Sequence, residues 1–554
     1  MKENNMTSQT KNTAAKKHSG LSIKKLYSRA VRALRRSNHD DALSLTQEII
    51  ARQSDHAGAH AVQFSSLFKS KKFESARQMG NQAAELNPKS VFILNNQACL
   101  ELECKNPTPA TNLLSSLIEQ YGERAQWLYN LALSHALIGQ YSKAISMFKR
   151  TLDQDPKHDK AARKLAATLE QVGHYEEASQ AYAYWRLLQP ESADAHARYI
   201  HCSTISGNIS SDDLTQELSL WQDKFIPKGK RYDVADIQNK KTLNIGFIYA
   251  SLPNEWTEKI VKPLANELAN NGDQITFYCH NHLLQFNDNI KSINATNVSD
   301  ANFARRVRAD EIDVLIDLCG MRKGNRQRAL GLQLASKQFA WLGHEGVFAT
   351  PLLESLDDKL NQSSSPFYFQ AQNAENKKAW PEKTFAGIAA SNGLSFSVIK
   401  TWAKILNLCP DWQLHIQTNK NTPVEKLLSQ RFSAAGVDRS KIRFDTDLGY
   451  DKTTIVLDNF SNNDPASLSD GILLGATPIA LKGNLFPAQQ NTQLLKQLGL
   501  SKNVLNTEFE FIEHAVMLAQ KGVKKSPLRG IKKHRQNLSD LSSFAKTVRK
   551  IIVD

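Results

Sequence analysis

Six cysteines in 554 residues, none of them in a Cys-x-x-Cys pair, leave no disulfide framework and no thiolate metal site. Cys99, Cys104, Cys202, Cys279, Cys319 and Cys409 fall mostly in apolar segments, the pattern of reduced structural thiols, which points to the cytoplasm. Long apolar runs are missing too: nothing approaches the roughly 20 residues that cross a membrane. The polar, Lys-rich stretch from Met1 to Lys25 lacks the apolar centre of a signal peptide, and residues 1–21 are expected to be a disordered basic tail. Acidic side chains are the scarcer charge, 55 Asp and Glu against 70 Lys and Arg, for a formal net charge of +15. That excess raises nucleic acid as a partner. However, the cations are spread along the chain and no zinc-finger, homeodomain or RNA-recognition motif occurs, so nucleic acid is not the expected ligand. What remains is an ordinary globular composition, 41% hydrophobic and 23% charged, in a chain long enough for roughly three or four domains.

A repeat organises the first part of the chain. Ala42, Ala76, Ala110, Ala144 and Ala178 recur every 34 residues, and Phe73, Tyr141 and Tyr175, Gly139 and Gly173, and Pro88, Pro156 and Pro190 keep the same step. This is the tetratricopeptide repeat period. The small Ala lets the second helix of each pair approach the first, the aromatic fills the space beside it, Gly ends one helix and Pro stops the other. The copies ending at Pro156 and Pro190 are sharp, whereas those centred on Ala42 and Ala110 are eroded. About five repeats with a cap are expected over residues 22–206 as an α-solenoid. The concave groove of such an array holds a protein or peptide; an array that only supports its neighbour is the plainer alternative.

The period stops after Gly207. A capped helix carrying Leu214, Leu218, Trp221 and Phe225 and a polar loop form a linker over residues 207–241. Beyond it the pattern alternates between strands and helices, which predicts open, mainly parallel sheets. Strands are expected at Leu243–Ile248, Ile275–Cys279 and Val314–Leu318, then at Trp412–Ile416, Lys441–Phe444, Ile455–Leu457 and Pro478–Leu481. Helices are expected at Thr257–Asn270, Ser397–Asn407, Val424–Ala435 and Ser467–Leu474. The strand ending at Leu318 is followed by Gly320-Met321, by Gly324-Asn325-Arg326, by a helix-like segment and by Trp341-Leu342-Gly343.

That succession resembles the O-GlcNAc transferase and SPINDLY-like glycosyltransferases. In that family a strand, a Gly-His/Tyr step, a Gly-Asn-Arg and a Trp-Leu-Gly-Tyr-Pro-Gly follow one another in this order. The resemblance covers nearly the whole chain apart from its N-terminal tail. It implies a GT-B pair of Rossmann-like α/β domains after the solenoid, at residues 242–380 and at 381–554 with a C-terminal helix. It also implies inverting transfer of a sugar from a nucleotide sugar, UDP-GlcNAc or another, to Ser or Thr of a recruited protein, with no resident cofactor and no metal.

The resemblance also assigns positions. The His at the family's reaction centre, in Asn-His-Pro, corresponds to Glu255 in Asn254-Glu255-Trp256; Glu255 is a candidate catalytic base, with an exposed loop carboxylate as the plainer reading. His344 stands where the Tyr of Trp-Leu-Gly-Tyr would be and is a candidate polar contact, or simply a loop histidine. Met321 replaces the family's His or Tyr, and a thioether supplies neither a donor nor a base. On the donor side the family's amide and lysine positions have become Ala389, Ala390 and Gly393, which leaves Asn392 as a candidate ligand. The family's phosphate-holding run at a helix N-terminus corresponds to Asn462–Asp470. There Ser467, Ser469 and Asp470 are candidate contacts to the donor nucleotide sugar. Asp464-Pro465 reads as an N-cap and first helical residue, so its carboxylate competes with a diphosphate for the helix end. Gln489 replaces the family's Arg, and the loop from Asp445 to Thr454 is short.

Three functions stay open on these residues. One is an active O-glycosyltransferase with an altered site. Another is a catalytically silent relative that acts as a protein-binding scaffold. The third is a transferase fold adapted to a different ligand.

Overall fold

The computed structural model describes residues 20–229, 231–250, 256–286, 289–342, 352–361, 383–388, 394–418, 422–445, 454–461, 463–483, 485, 489–522 and 540–554. By its internal contacts the chain divides into two units, residues 1–168 and 169–554.

In the first unit helices run Ile23–Arg35, His39–Arg52, Ala57–Lys69, Phe73–Leu86, Val91–Glu103, Pro107–Tyr121, Ala125–Leu137 and Tyr141–Gln154, and the next, Asp159–Gln171, crosses the division. The repeated alanines behave as the period requires: Ala42, Ala76, Ala110 and Ala144 have no exposed surface. Where the chain leaves the first helix of each pair it passes through a left-handed residue, again on the 34-residue step. Gly139 and Gly173 hold that position at φ +76° and +80°, whereas Ser37, Lys71 and Lys105 are forced into it at +58°, +59° and +58°. A Cβ crowds the backbone in that conformation, at about 1 kcal/mol per residue, so the eroded copies keep the turn without the residue best suited to it.

The second unit begins with the last repeat helix, Tyr175–Leu188, and two further helices, Ala193–Ser206 and Ser211–Phe225, the latter capped by Ser210. These helices are bound to the sheets behind them. Glu176 accepts the Phe396 amide at 2.9 Å, and Arg431 lies 3.5 and 3.3 Å from Glu176 and Glu177.

Two six-stranded parallel sheets follow. The first lobe has strands β1 Asn244–Tyr249, β2 Gln274–Cys279, β3 Ile290–Asn294, β4 Val314–Asp317, β5 Lys337–Ala340 and β6 Glu354–Ser355, in the order β3-β2-β1-β4-β5-β6. The second lobe has β7 Thr384–Gly387, β8 Gln413–Gln417, β9 Ile442–Asp445, β10 Ile455–Leu457, β11 Thr477–Leu481 and β12 Val504–Leu505, in the order β12-β11-β10-β7-β8-β9. Counted within each lobe, both follow the doubly wound 3-2-1-4-5-6 order. The expected strands are present within about two residues, the usual boundary uncertainty. The sequence reading lacked β3, β5, β7 and the short β6 and β12. β3 reads Ile-Lys-Ser-Ile-Asn and is nowhere fully buried, so it lacks the apolar run of its neighbours.

The order of strands locates the crevices. In each lobe the connections diverge between the first and fourth strands, β1 and β4 or β7 and β10, and ligands of such sheets bind beyond the carboxyl ends at that point. One apolar core runs through both lobes, from Phe247 and Phe277 through Trp341 to Val456, Leu468 and Ile472. The last helix, Leu541–Val553, adds Phe544, Val548 and Ile552 to it. Arg549 ties that helix to Asp273 of the first lobe at 2.9 Å.

Candidate functional site

Both fourth strands end on a buried aspartate. After β10, Asp458 accepts the Asn491 side-chain amide at 2.7 Å, that of Asn463 at 3.1 Å and the Leu481 backbone N–H at 3.3 Å. Complete burial pushes its carboxyl up to about 7 against these donors. Asn463 in turn donates to the Asn459 carbonyl and accepts the Asn491 amide, both at 3.0 Å, which fixes the turn that leads to helix Pro465–Leu473.

Asp464 caps that helix. Its Oδ1 accepts the Ser467 N–H at 3.1 Å and its Oδ2 the Ser467 hydroxyl at 2.7 Å. The cap followed from Asp-Pro in the sequence; its third partner did not. Trp256 of the first lobe donates Nε1 to the same Oδ1 at 2.9 Å. One turn further on, Asp470 forms an ion pair with Lys259. Both side chains are buried, 8% and 7% exposed. Trp256 and Lys259 are placed by a π-helical turn, Thr257–Val261, that precedes helix Lys262–Asn270. Such turns insert one residue into the helical period and re-aim the side chains around them.

The candidate donor contacts therefore stand as follows. Ser467, Ser469 and Asp470 share helix Pro465–Leu473, all buried. Ser467 Oγ serves Asp464 and lies 3.2 Å from Gln417 Oε1. Asp470 serves Lys259, and Ser469 Oγ is buried with no hydrogen-bond partner among the described residues, as are Asn459 Nδ2 and Asn491 Oδ1 beside the same turn. Glu255, His344 and Asn392 lie outside the described residues, as do Ala389, Ala390, Gly393 and the 446–453 loop. Trp256 and Lys259 were not singled out from sequence; the one local signal was a Trp where the resembled motif has Pro.

In the first lobe, Asp317 ends β4. It accepts the Cys319 and Gly320 amides at 2.9 and 3.1 Å and the Gln327 side-chain amide at 2.7 Å, and burial raises it to about 7. Met321 follows and is not a failed ligand facing solvent. It is 2% exposed and packs in an apolar cluster with Ala197, Ile200, Leu214, Trp221 and Leu485. Met321 thus joins the two helices that follow the last repeat to both lobes, and its thioether suits that apolar setting. Among the described residues no group of His, Cys, Asp and Glu is arranged to hold a metal ion, and no helix is long and apolar enough to cross a membrane.

Two Rossmann-like parallel sheets that follow a helical-repeat array in the chain have the GT-B fold, and comparison with known proteins agrees. A tetratricopeptide-repeat family model matches residues 139–203. An O-GlcNAc transferase mutant from Thermobaculum terrenum superposes with a TM-score of 0.63 at 17% identity, covering 83% of this chain and 96% of that one. A probable UDP-N-acetylglucosamine–peptide N-acetylglucosaminyltransferase SPINDLY of Solanum lycopersicum is 21% identical over 46% of this chain and 31% of its own length. For its counterpart in Oryza sativa subsp. japonica the figures are 20%, 61% and 41%. The chain thus spans less than half the length of the curated relatives it matches. The chain is similar to O-GlcNAc transferase and SPINDLY proteins, with tetratricopeptide repeats ahead of a GT-B fold in the sequence.

Proposed function

We propose that this chain is a protein-recruiting, glycosyltransferase-like component of protein O-glycosylation whose repeat groove binds a polypeptide and whose donor end is closed by its own side chains. One observation carries this reading: Asp464 already occupies the positive end of helix Pro465–Leu473, with Trp256 hydrogen-bonded to the same carboxylate. A diphosphate placed there would meet a like charge at about 4 Å, a repulsion of about 4 kcal/mol at an effective permittivity of about 20. The nearby cation, Lys259, is already paired with Asp470. The six cysteines are all free thiols, which supports work in the cytoplasm.

A second reading, active transfer from UDP-GlcNAc or another nucleotide sugar to Ser or Thr, is favoured by the unsatisfied Ser469 Oγ, Asn459 Nδ2 and Asn491 Oδ1 at the crevice end of β10. In that reading Glu255 and His344 serve the acceptor hydroxyl, and Asn392, Ser467, Ser469 and Asp470 hold the donor. No metal takes part. Calorimetric titration of the full chain with UDP-GlcNAc, UDP and GDP-sugars separates the two. Silence at millimolar ligand supports the scaffold. Binding that weakens in Asp470→Ala overturns it in favour of transfer.

A further inference from the structure

Helix Glu508–Lys521 of the second lobe has two apolar faces, and the core takes up only one of them. The helix starts on a capping box, in which Thr507 and Glu510 satisfy each other's backbone N–H. Phe511 and Ala515 are buried, and Leu518 and Ala519 pack beside them on the apolar core of the lobe, all at the spacing of one helical face. Phe509, Glu513, Val516, Met517 and Gln520 keep the same spacing on another side. That second stripe lines an open groove of about 610 Å³ together with Leu408, at the end of helix Phe396–Leu408, and Leu505 of the edge strand β12. Phe509 is 68% exposed and Leu408 57%. Phe509 and Met517 take no part in the core cluster that holds the other face.

The charge around this groove differs from that of the chain as a whole. The formal net charge is +15, yet the groove is lined by Glu510 and Glu513 and, among the described residues, by no Lys or Arg. A net charge of that size makes two copies of the chain repel, and a face without cations is where the repulsion is least. Charge also runs along the helix, with Glu508 and Glu510 in its first turn and Lys521 in its last. Glu508 is shared with Lys404 at 3.0 Å. Glu510, Glu513 and Lys521 are exposed and make no ion pair among the described residues.

We infer that this face is an interface between two copies of the chain, in which two Glu508–Lys521 helices pack antiparallel about a two-fold axis. Such an interface joins a patch to itself, so one face has to offer both a projection and a recess. Phe509 is the projection, and the apolar groove past Val516 and Met517 is the recess. Antiparallel packing turns Glu510 and Glu513 of each helix toward the Lys521 end of the other and opposes the two helix dipoles. A parallel pair, or an acidic partner, sets like charges together. A basic partner segment meets the two glutamates but leaves Lys521 facing a like charge. A contact of one helix and its flanks falls in the size class below about 1,200 Å², which gives weak, reversible association. The dimer forms without ligand, so its failure leaves the donor-site readings untouched.

The test is sedimentation velocity of the full chain over a micromolar concentration series. The parent is expected to move from the mass of one chain, 62.0 kDa, toward that of two. Phe509→Asp and Met517→Lys, outside the core cluster, are each expected to weaken association about tenfold or more with an unchanged melting curve. Leu187→Asp, at a position 75% exposed on helix Tyr175–Leu188, is expected to leave it unchanged. Val516→Cys, near the middle of the helix, is expected to give a covalent dimer on mild oxidation beyond any formed by the parent. Three results would overturn the inference: a parent that stays monomeric throughout, which would leave the groove to another partner or to residues 523–539; a dimer that survives Phe509→Asp and Met517→Lys; or no cross-link in Val516→Cys beyond the parent's.

Discussion

The two lobes solve one structural problem in the same way and then diverge. Each fourth strand ends on a fully buried aspartate, Asp317 or Asp458, that gathers the donors of the turn behind it. After β4 that turn leaves Lys323 exposed at its crest. After β10 it runs inward, caps a helix with Asp464 and receives an indole and an ammonium from the opposite lobe. The same topology thus leaves an exposed lysine on one side and a buried, carboxylate-lined seam on the other. The residues that make the difference are few and lie just past the shared aspartate.

The sharpest way to break this comparison is at the seam. Lys259→Met leaves Asp470 buried without its counter-ion and is expected to lower unfolding free energy by about 3–5 kcal/mol in urea titration. The double change Lys259→Met with Asp470→Leu should recover most of that loss. Equal losses in the single and double variants would show that packing, not charge, joins the lobes there.

The shared aspartates come next. Asp458→Ala strands the Asn491, Asn463 and Leu481 donors and is expected to destabilise by about 2–3 kcal/mol, with Asp317→Ala within about 1 kcal/mol of it. Their pH dependence has a definite sign. The unfolded carboxyl titrates near 3.8 and the folded one near 7, so between these values the native state holds more protons. Stability attributable to these groups therefore falls as pH rises from about 4 to about 7 and levels off above. Asp458→Asn should flatten part of that fall in denaturation curves taken across the range.

A smaller effect is expected at the helix end. Asp464→Asn keeps a capping oxygen and removes the charge, at a cost of about 1 kcal/mol or less. Calorimetry should then detect UDP where the parent chain gives no heat. No gain would mean that the missing donor ligands, rather than the carboxylate, close the site. The smallest change belongs to the turn after β4: Lys323→Glu, at an exposed position, should leave thermal stability within about 0.5 kcal/mol of the parent in a melting curve.

Legibility from sequence followed the range of the interaction that fixes each feature. The repeat period was readable because tetratricopeptide packing restates the same local demand every 34 residues; even the left-handed position persists through Ser37, Lys71 and Lys105. Replacing Lys105 with Gly is expected to add about 1 kcal/mol of stability, read in the same urea titrations. Buried strands such as Val314–Asp317 and Ile455–Leu457 were readable from their apolar runs, and the Asp464-Pro465 cap from its residue types. The half-exposed β3 was not, because it lacks such a run.

By itself the sequence determined the solenoid and the two α/β lobes, which rest on patterns within a turn or a strand, and it named the candidate residues around the helix at Pro465–Leu473. Only the tertiary structure decided what such residues do. Met321 proved to be a packing residue between the two helices after the last repeat and the lobes. Asp464 found an indole 208 residues away, and Asp470 an ammonium 211 residues away. Partners that distant leave no periodicity in the chain. They are set by how the two sheets close on each other and on the shared core.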